Sequence, residues 1–264
     1  MPRITRRHFL QIAGSGLLVA HSPYLLAQTP KKKLGVALLG LGNYSTNLLA
    51  PALQDTKHCE LRGIITGSES KIPQWQQKYG IKDSNVYTYS TMADVANNDD
   101  IDVIYVVTPT GTHKDFAVQA ANTGKHVWCE KPMAMDSEEC QAIIDACDKN
   151  GVQLSIGYRM QHEPNTRTFH QYLETKPYGN LTAVSSFAGY AGQGRAPDNW
   201  RMKKHMGGGA LYDMGVYAIN GARFLTGREP LAVTGSHPPQ RFPETFTEVD
   251  ETTLFTMDFG DGLV

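Results

Sequence analysis

A lysine fixed at the end of a buried strand is a candidate catalytic cation, and Cys129-Glu130-Lys131-Pro132 supplies one. These residues follow Lys125-His126-Val127-Trp128, which reads as a strand. Proline disfavours α geometry at the residue before it, so Lys131 is expected in an extended backbone. Held there, its ammonium could stabilise negative charge developing on a substrate oxygen. A Lys-Pro pair alone is more often a solvated loop; its weight comes from Gly40-x-Gly42-x-x-Ser45 upstream. That run follows an apolar strand and opens a helix, the context of a dinucleotide fingerprint. The first glycine permits the tight turn, the second lets the backbone approach a pyrophosphate, and the helix start supplies amide donors. Ser45 replaces the third glycine and is small enough for helix–strand packing. Leu41, Asn43 and Tyr44 complete the candidate phosphate loop.

The end of the second strand selects the nucleotide. A site for NAD usually carries an acid there, for the ribose 2′-hydroxyl. This chain has Thr66-Gly67-Ser68-Glu69-Ser70-Lys71. Thr66, Ser68 and Lys71 suit a 2′-phosphate, which wants donors and positive charge, so NADP is favoured over NAD. Glu69 as a ribose ligand is the alternative. Thr108-Pro109 ends another buried strand, and Tyr89 and His113 are further candidates for cofactor contact. Tyr89 could equally be a core aromatic, and a lone histidine is more often a structural helix-start residue.

The elements that must position these groups alternate. Strands read at 34–39, 59–66, 101–108, 125–129 and 152–158. Helices read at 44–54, 113–123 and 137–149, with Pro51 expected to kink or end the first and Asp136 expected to cap the third. Such alternation specifies an α/β fold with a doubly wound parallel sheet. Beyond Tyr158 the texture changes. A helix is expected over 165–174, a strand over Leu181–Tyr190, and a helix from Gly207-Gly208-Gly209 through Leu225. Thr252–Phe259 alternates polar and apolar, the mark of a sheet with one solvated face. Gly260-Asp261-Gly262 reads as a hairpin turn, and a hairpin with no return strand leaves an unpaired edge. The expectation is a nucleotide-binding domain over 33–158 and a C-terminally incomplete α+β domain over 159–264.

Bulk properties narrow the partners. The 264 residues carry a formal net charge of −1 with no basic stripe, which argues against nucleic acid. No Cys/His spacing suggests a metal site, and the four cysteines are read as buried thiols. Thr5-Arg6-Arg7-His8-Phe9-Leu10 precedes a moderately apolar stretch without acids, which reads as a twin-arginine export signal over 1–27. That route implies the export machinery as a partner and a periplasmic destination, reached by a protein already folded on its cofactor.

Gly40-Leu41-Gly42, Thr108-Pro109, Cys129-Glu130-Lys131-Pro132, Gly157-Tyr158-Arg159 and the run Gly208 to Tyr217 together resemble the glucose–fructose oxidoreductase / inositol dehydrogenase (Gfo/Idh/MocA) family. The resemblance covers about 33–264. With the export signal, Trp200-Arg201 and Tyr217, it points to the branch of periplasmic glucose–fructose and aldose–aldose oxidoreductases. It implies a second domain with a large, open, mostly antiparallel sheet and assembly as a dimer or tetramer. It also implies roles: Lys131 stabilises the sugar oxygen, Tyr217 is the general acid/base, and Asp213 orients the sugar or tunes Tyr217. Glu130, Arg159, Trp200 and Arg201 belong near the nicotinamide. A neighbouring ammonium is expected to lower the Tyr217 pKa. The implied function is oxidation of an aldose to its lactone and reduction of a second sugar with one tightly held NADP. The alternatives are an ordinary aldose dehydrogenase, a nicotinamide-dependent glycosidase and a non-catalytic binding member.

Overall fold

The computed structural model describes residues 33–192 and 194–264, and from Leu34 onward these form one compact unit. The expected export signal lies outside the described residues. Six parallel strands form the main sheet: β1 (Leu34–Leu39), β2 (Cys59–Ile65), β3 (Val86–Tyr87), β4 (Val103–Val106), β5 (His126–Cys129) and β6 (Leu154–Ile156). Their order is β3-β2-β1-β4-β5-β6, so the winding reverses between β1 and β4. Ligands of open parallel sheets bind at the carboxyl ends of the strands beside such a reversal.

The sheet is buried on both faces, and strand parity decides which face each residue serves. Ala37 and Leu39 join Ile104, Val106, Val127 and Cys129 in one core. Val36 and Leu38 join Leu61, Ile64, Val103 and Trp75 in the other. The first core is closed by α3 (His113–Asn122) and α4 (Ser137–Lys149), the second by Leu53 of α1 (Ala50–Asp55) and Trp75 of α2 (Ile72–Tyr79). The Asp136 carboxylate accepts from the Glu139 amide at 2.8 Å and starts α4 as expected.

Pro51 does not end its helix. A π turn over Ser45–Leu49 precedes α1, with the Ala50 amide donating to the Ser45 carbonyl, and the helix then continues to Asp55. Proline sits at the start of the α segment, where a missing N–H costs little.

The second region holds α5 (Pro164–Thr175), a π turn over Leu211–Gly215, α6 (Val216–Thr226) and an antiparallel pair, β7 (Ala232–Ser236) and β8 (Leu254–Asp258). Two expectations are corrected here. Leu181–Tyr190 is not a strand; its Val184 amide donates to the Val264 carbonyl at 2.8 Å, without a continuing ladder. Among the described residues the antiparallel sheet of this region has two strands, β7 and β8. The turn at Gly260 to Gly262 forms, but β8 is paired along one edge by β7, which the small residues of Ala232–Ser236 did not announce. Cys129 and Cys147 are buried thiols, whereas Cys59 and Cys140 are partly exposed; all four are free.

Candidate active site

The loop after β1 is shaped by its glycines. Gly40 has φ +98°, and a Cβ there would meet the Val107 carbonyl oxygen at 3.0 Å, so the turn excludes other residues. At Gly42 a Cβ would point into open space, room that a phosphate chain can fill. Ser45 is fully buried, and its hydroxyl donates to the Gly40 carbonyl at 2.5 Å. The serine therefore closes the loop as well as sparing space. Lys71 reaches back from the turn after β2, and its Nζ donates to the Leu41 carbonyl at 2.8 Å. A cation thus stands between the strand end and the phosphate loop. Thr66 is buried with its hydroxyl accepting from the Ser68 amide at 3.0 Å, while Ser68 itself is exposed. Asn43 Oδ1 accepts from Asn47 at the rim. Tyr89 stacks on Phe116 with 4.7 Å between centroids and lies against Gly67, closing the outer side of the same loop.

Lys131 projects from the end of β5 through a cis Lys131-Pro132 bond. Its Nζ donates to the Asp213 main-chain carbonyl at 2.6 Å, stands 3.4 Å from Asp213 Oδ1 and lies 4.4 Å from the centre of the Tyr217 ring. The three residues assigned to chemistry from the sequence therefore converge. Asp213 is 5% exposed, and its Oδ2 accepts from Arg201 Nε at 2.9 Å and from the Tyr190 hydroxyl at 2.7 Å. Burial alone would raise Asp213; Lys131, Tyr190 and Arg201 outweigh it and hold the carboxyl below its usual range. Burial lowers Lys131, with Asp213 and Glu130 opposing.

The expected direction of the Tyr217 pKa is corrected. Burial, helped by Glu130 and Tyr44, pushes its phenol up to about 12. The Lys131 ammonium faces the ring and not the oxygen, so it stabilises the aromatic face rather than a phenolate.

Glu130 lies beneath this group, 8% exposed, accepting from the Tyr105 hydroxyl. Burial raises its carboxyl, with Tyr105, Lys131 and Arg159 pulling the other way. Arg159 follows β6 and borders, with Tyr44, Tyr105 and Trp128, a pocket of about 560 Å³. Trp200 and Arg201 share a short 3₁₀ turn, the guanidinium 4.3 Å from the indole centre. His113 is not at the chemistry. It is 1% exposed, with Nε2 2.8 Å from the Thr108 carbonyl and Nδ1 2.8 Å from the Pro132 carbonyl. It ties the Thr108-Pro109 loop to the turn after Lys131. Tyr190 was missed because its partner is 23 residues away and no local spacing marks it.

Residues 34–158 match the model of the oxidoreductase family with an NAD-binding Rossmann fold (GFO_IDH_MocA), and residues 166–264 match the GFO/IDH/MocA C-terminal domain. An aldose-aldose oxidoreductase from Caulobacter crescentus, solved with glycerol, superposes with a TM-score of 0.83 at 35% identity, over 88% of this chain and 69% of that one. D-xylose 1-dehydrogenase [NADP(+)] of Haloarcula marismortui is 30% identical over 84% of this chain and 62% of its own length. D-xylose 1-dehydrogenase (NADP(+)) 2 of Haloferax volcanii is 27% identical over 72% of this chain and 56% of its own. The chain thus spans about three fifths of the curated relatives it matches.

Proposed function

We propose a function from one established premise: the chain belongs to the GFO/IDH/MocA oxidoreductase family. The reading supported best is an NADP-dependent oxidoreductase acting on the CH–OH group of a sugar. One observation carries it: Lys131 Nζ meets Asp213 and Tyr217 at the same carboxyl end of the parallel strands as the Gly40 loop. The residues fit the cofactor. Gly40, Leu41, Gly42, Asn43 and Tyr44 would take the pyrophosphate, and Thr66, Ser68 and Lys71 the 2′-phosphate. Thr108, Pro109, Glu130, Arg159, Trp200 and Arg201 would surround the nicotinamide end, and Tyr89 the outer loop. Bound NADP supplies the hydride acceptor in oxidation and the hydride donor in reduction.

The protein's part is the proton. Burial lowers the Lys131 pKa from its ordinary value, which suits this amine to take the hydroxyl proton as the carbon gives up hydride. Tyr217 stays a neutral phenol and donates a hydrogen bond to the sugar oxygen. Asp213 orients Lys131. In reduction the same ammonium returns the proton. The rate of sugar oxidation should rise with pH, with a midpoint below the ordinary lysine value of 10.5. A pH profile of kcat/KM over an aldose series checks this; a flat profile removes Lys131 as the base. Lys131→Met should lower turnover about 10²–10⁴-fold while NADP still binds, measured by stopped-flow reduction and nucleotide titration.

The finer reading is a paired reaction in the periplasm: an aldose becomes its lactone, and a second sugar is reduced by the same retained NADP. Two observations favour it: the Arg6-Arg7 export pattern and the likeness to the aldose-aldose oxidoreductase. Export on the twin-arginine machinery would carry the cofactor out with the fold, and assembly as a dimer or tetramer follows the family. A single-sugar dehydrogenase is the second reading, favoured by the names of the two xylose dehydrogenases. Denaturing the purified full-length protein and identifying released nucleotide separates them. Released NADP, reduced by an aldose and reoxidised by a second sugar, supports the paired reaction. Empty protein that turns over only with added NADP supports the dehydrogenase.

A further inference from the structure

The Asp213 carboxylate is shared unequally. Oδ2 is taken by Tyr190 at 2.7 Å and Arg201 at 2.9 Å, whereas Oδ1 stands 3.4 Å from Lys131 Nζ. The short bond of Lys131, 2.6 Å, goes to the Asp213 main-chain carbonyl. A neutral carbonyl stabilises an ammonium less than a carboxylate does at the same distance. Lys131 is therefore placed by Asp213 but not fully paired with it. The phenol of Tyr190, raised to about 12 by burial and by its bond to Asp213, remains a donor across the working pH range.

We infer that Tyr190 is a positioning residue: by donating to Oδ2 it turns the Asp213 carboxylate away from Lys131 and leaves that amine to the substrate hydroxyl. The inference rests on the reading of Lys131 as the group that exchanges the proton. The groups acting on Lys131 are Asp213, Glu130, Arg201, the Tyr217 ring and the His113 imidazole. Those acting on Tyr190 are Asp213, Arg195, which lies 4.7 Å from its ring centre, and Arg201. Asp213 is hydrogen-bonded to both, which makes it the coupling element. Without the Tyr190 hydroxyl, Arg201 alone holds Oδ2, the carboxylate is less restrained and Oδ1 can close on Lys131; a tighter ion pair favours the ammonium.

The test compares full-length wild type with Tyr190→Phe. Tyr190 is 45% exposed, and phenylalanine keeps the ring beside Arg195, so the substitution leaves the fold in place. Competitive acetylation by acetic anhydride across pH, read by peptide mass spectrometry, reports the Lys131 midpoint without requiring turnover. The expected result is an upward shift of about half a pH unit or more, with the acid limb of kcat/KM for sugar oxidation moving equally. On an Asp213→Asn background, Tyr190→Phe should add no shift, because no charge remains to redirect. An unchanged Lys131 midpoint in Tyr190→Phe, or an equal shift on both backgrounds, overturns the inference. If wild type oxidises no sugar, the functional reading fails, yet the acetylation midpoints still decide the role of Tyr190.

Discussion

The parallel sheet and the segment from Gly207 to Phe259 hold their site residues by different means. The sheet presents Lys131 from β5, whose neighbours Val106, Val127 and Ile104 are all fully buried. The second segment presents Asp213 and Tyr217 through polar ties. The Asp250 carboxylate accepts from the Leu211 amide at 2.8 Å, and its carbonyl accepts from the Ala210 amide at 3.0 Å. Gly209 has φ +99°, and a Cβ there would sit 2.2 Å from Asp250 Oδ1. Every residue of β7, by contrast, is exposed. One half of the site is fixed by a large apolar core; the other rests on two small apolar clusters, around Met257 and around Phe246, and on a few bonds that single substitutions can cut. The half carrying Asp213 and Tyr217 is thus the easier one to retune.

Substitutions can break or sharpen that contrast. Ile104→Ala, in the fully buried sheet, should cost about 2–5 kcal/mol in urea unfolding. Asp250→Ala should cost about 1–3 kcal/mol, because the Leu211 amide loses its acceptor. It should also lower kcat more than it weakens nucleotide binding; equal losses in both would mean that the two regions are not separable. Lys71→Ala should weaken NADP about tenfold, roughly 1.4 kcal/mol, and leave NAD unchanged. Calorimetric titration with both nucleotides checks this, and equal weakening would assign Lys71 to loop support through Leu41. Val233→Ala, at 61% exposure, should stay within about 0.5 kcal/mol of wild type. A cost matching that of Ile104→Ala would erase the contrast.

The same division explains what the sequence disclosed. β1 and α4 read correctly to the residue, because a continuous apolar run and an Asp136 cap are local signals. The tight turn at Gly40 and the place of Lys131 just beyond β5 were legible for the same reason. Leu181–Tyr190 read as a strand from composition, but a strand needs a partner ladder, and among the described residues the main chain of this stretch shows a single bond, Val184 to Val264. β7 was invisible because Ala232–Ser236 has no apolar alternation to mark it. α2 was passed over, although Pro73 near its start and Gly80 at its end bracket it. The electrostatics of Tyr217 depended on which part of the ring Lys131 faces, and spacing along one chain does not encode that.

The Asp250 tie also sets an order in time. A ribosome has finished all six strands of the parallel sheet by Ile156, and with them the Gly40 loop and Lys131. Asp213 and Tyr217 emerge later, and the amides that start their helix gain their acceptor only once residue 250 is made. A nascent chain stalled between those points carries the Gly40 loop before Asp213 and Tyr217 are anchored. Synthesis therefore completes the loop proposed to take the cofactor before the residues proposed to face the substrate are anchored.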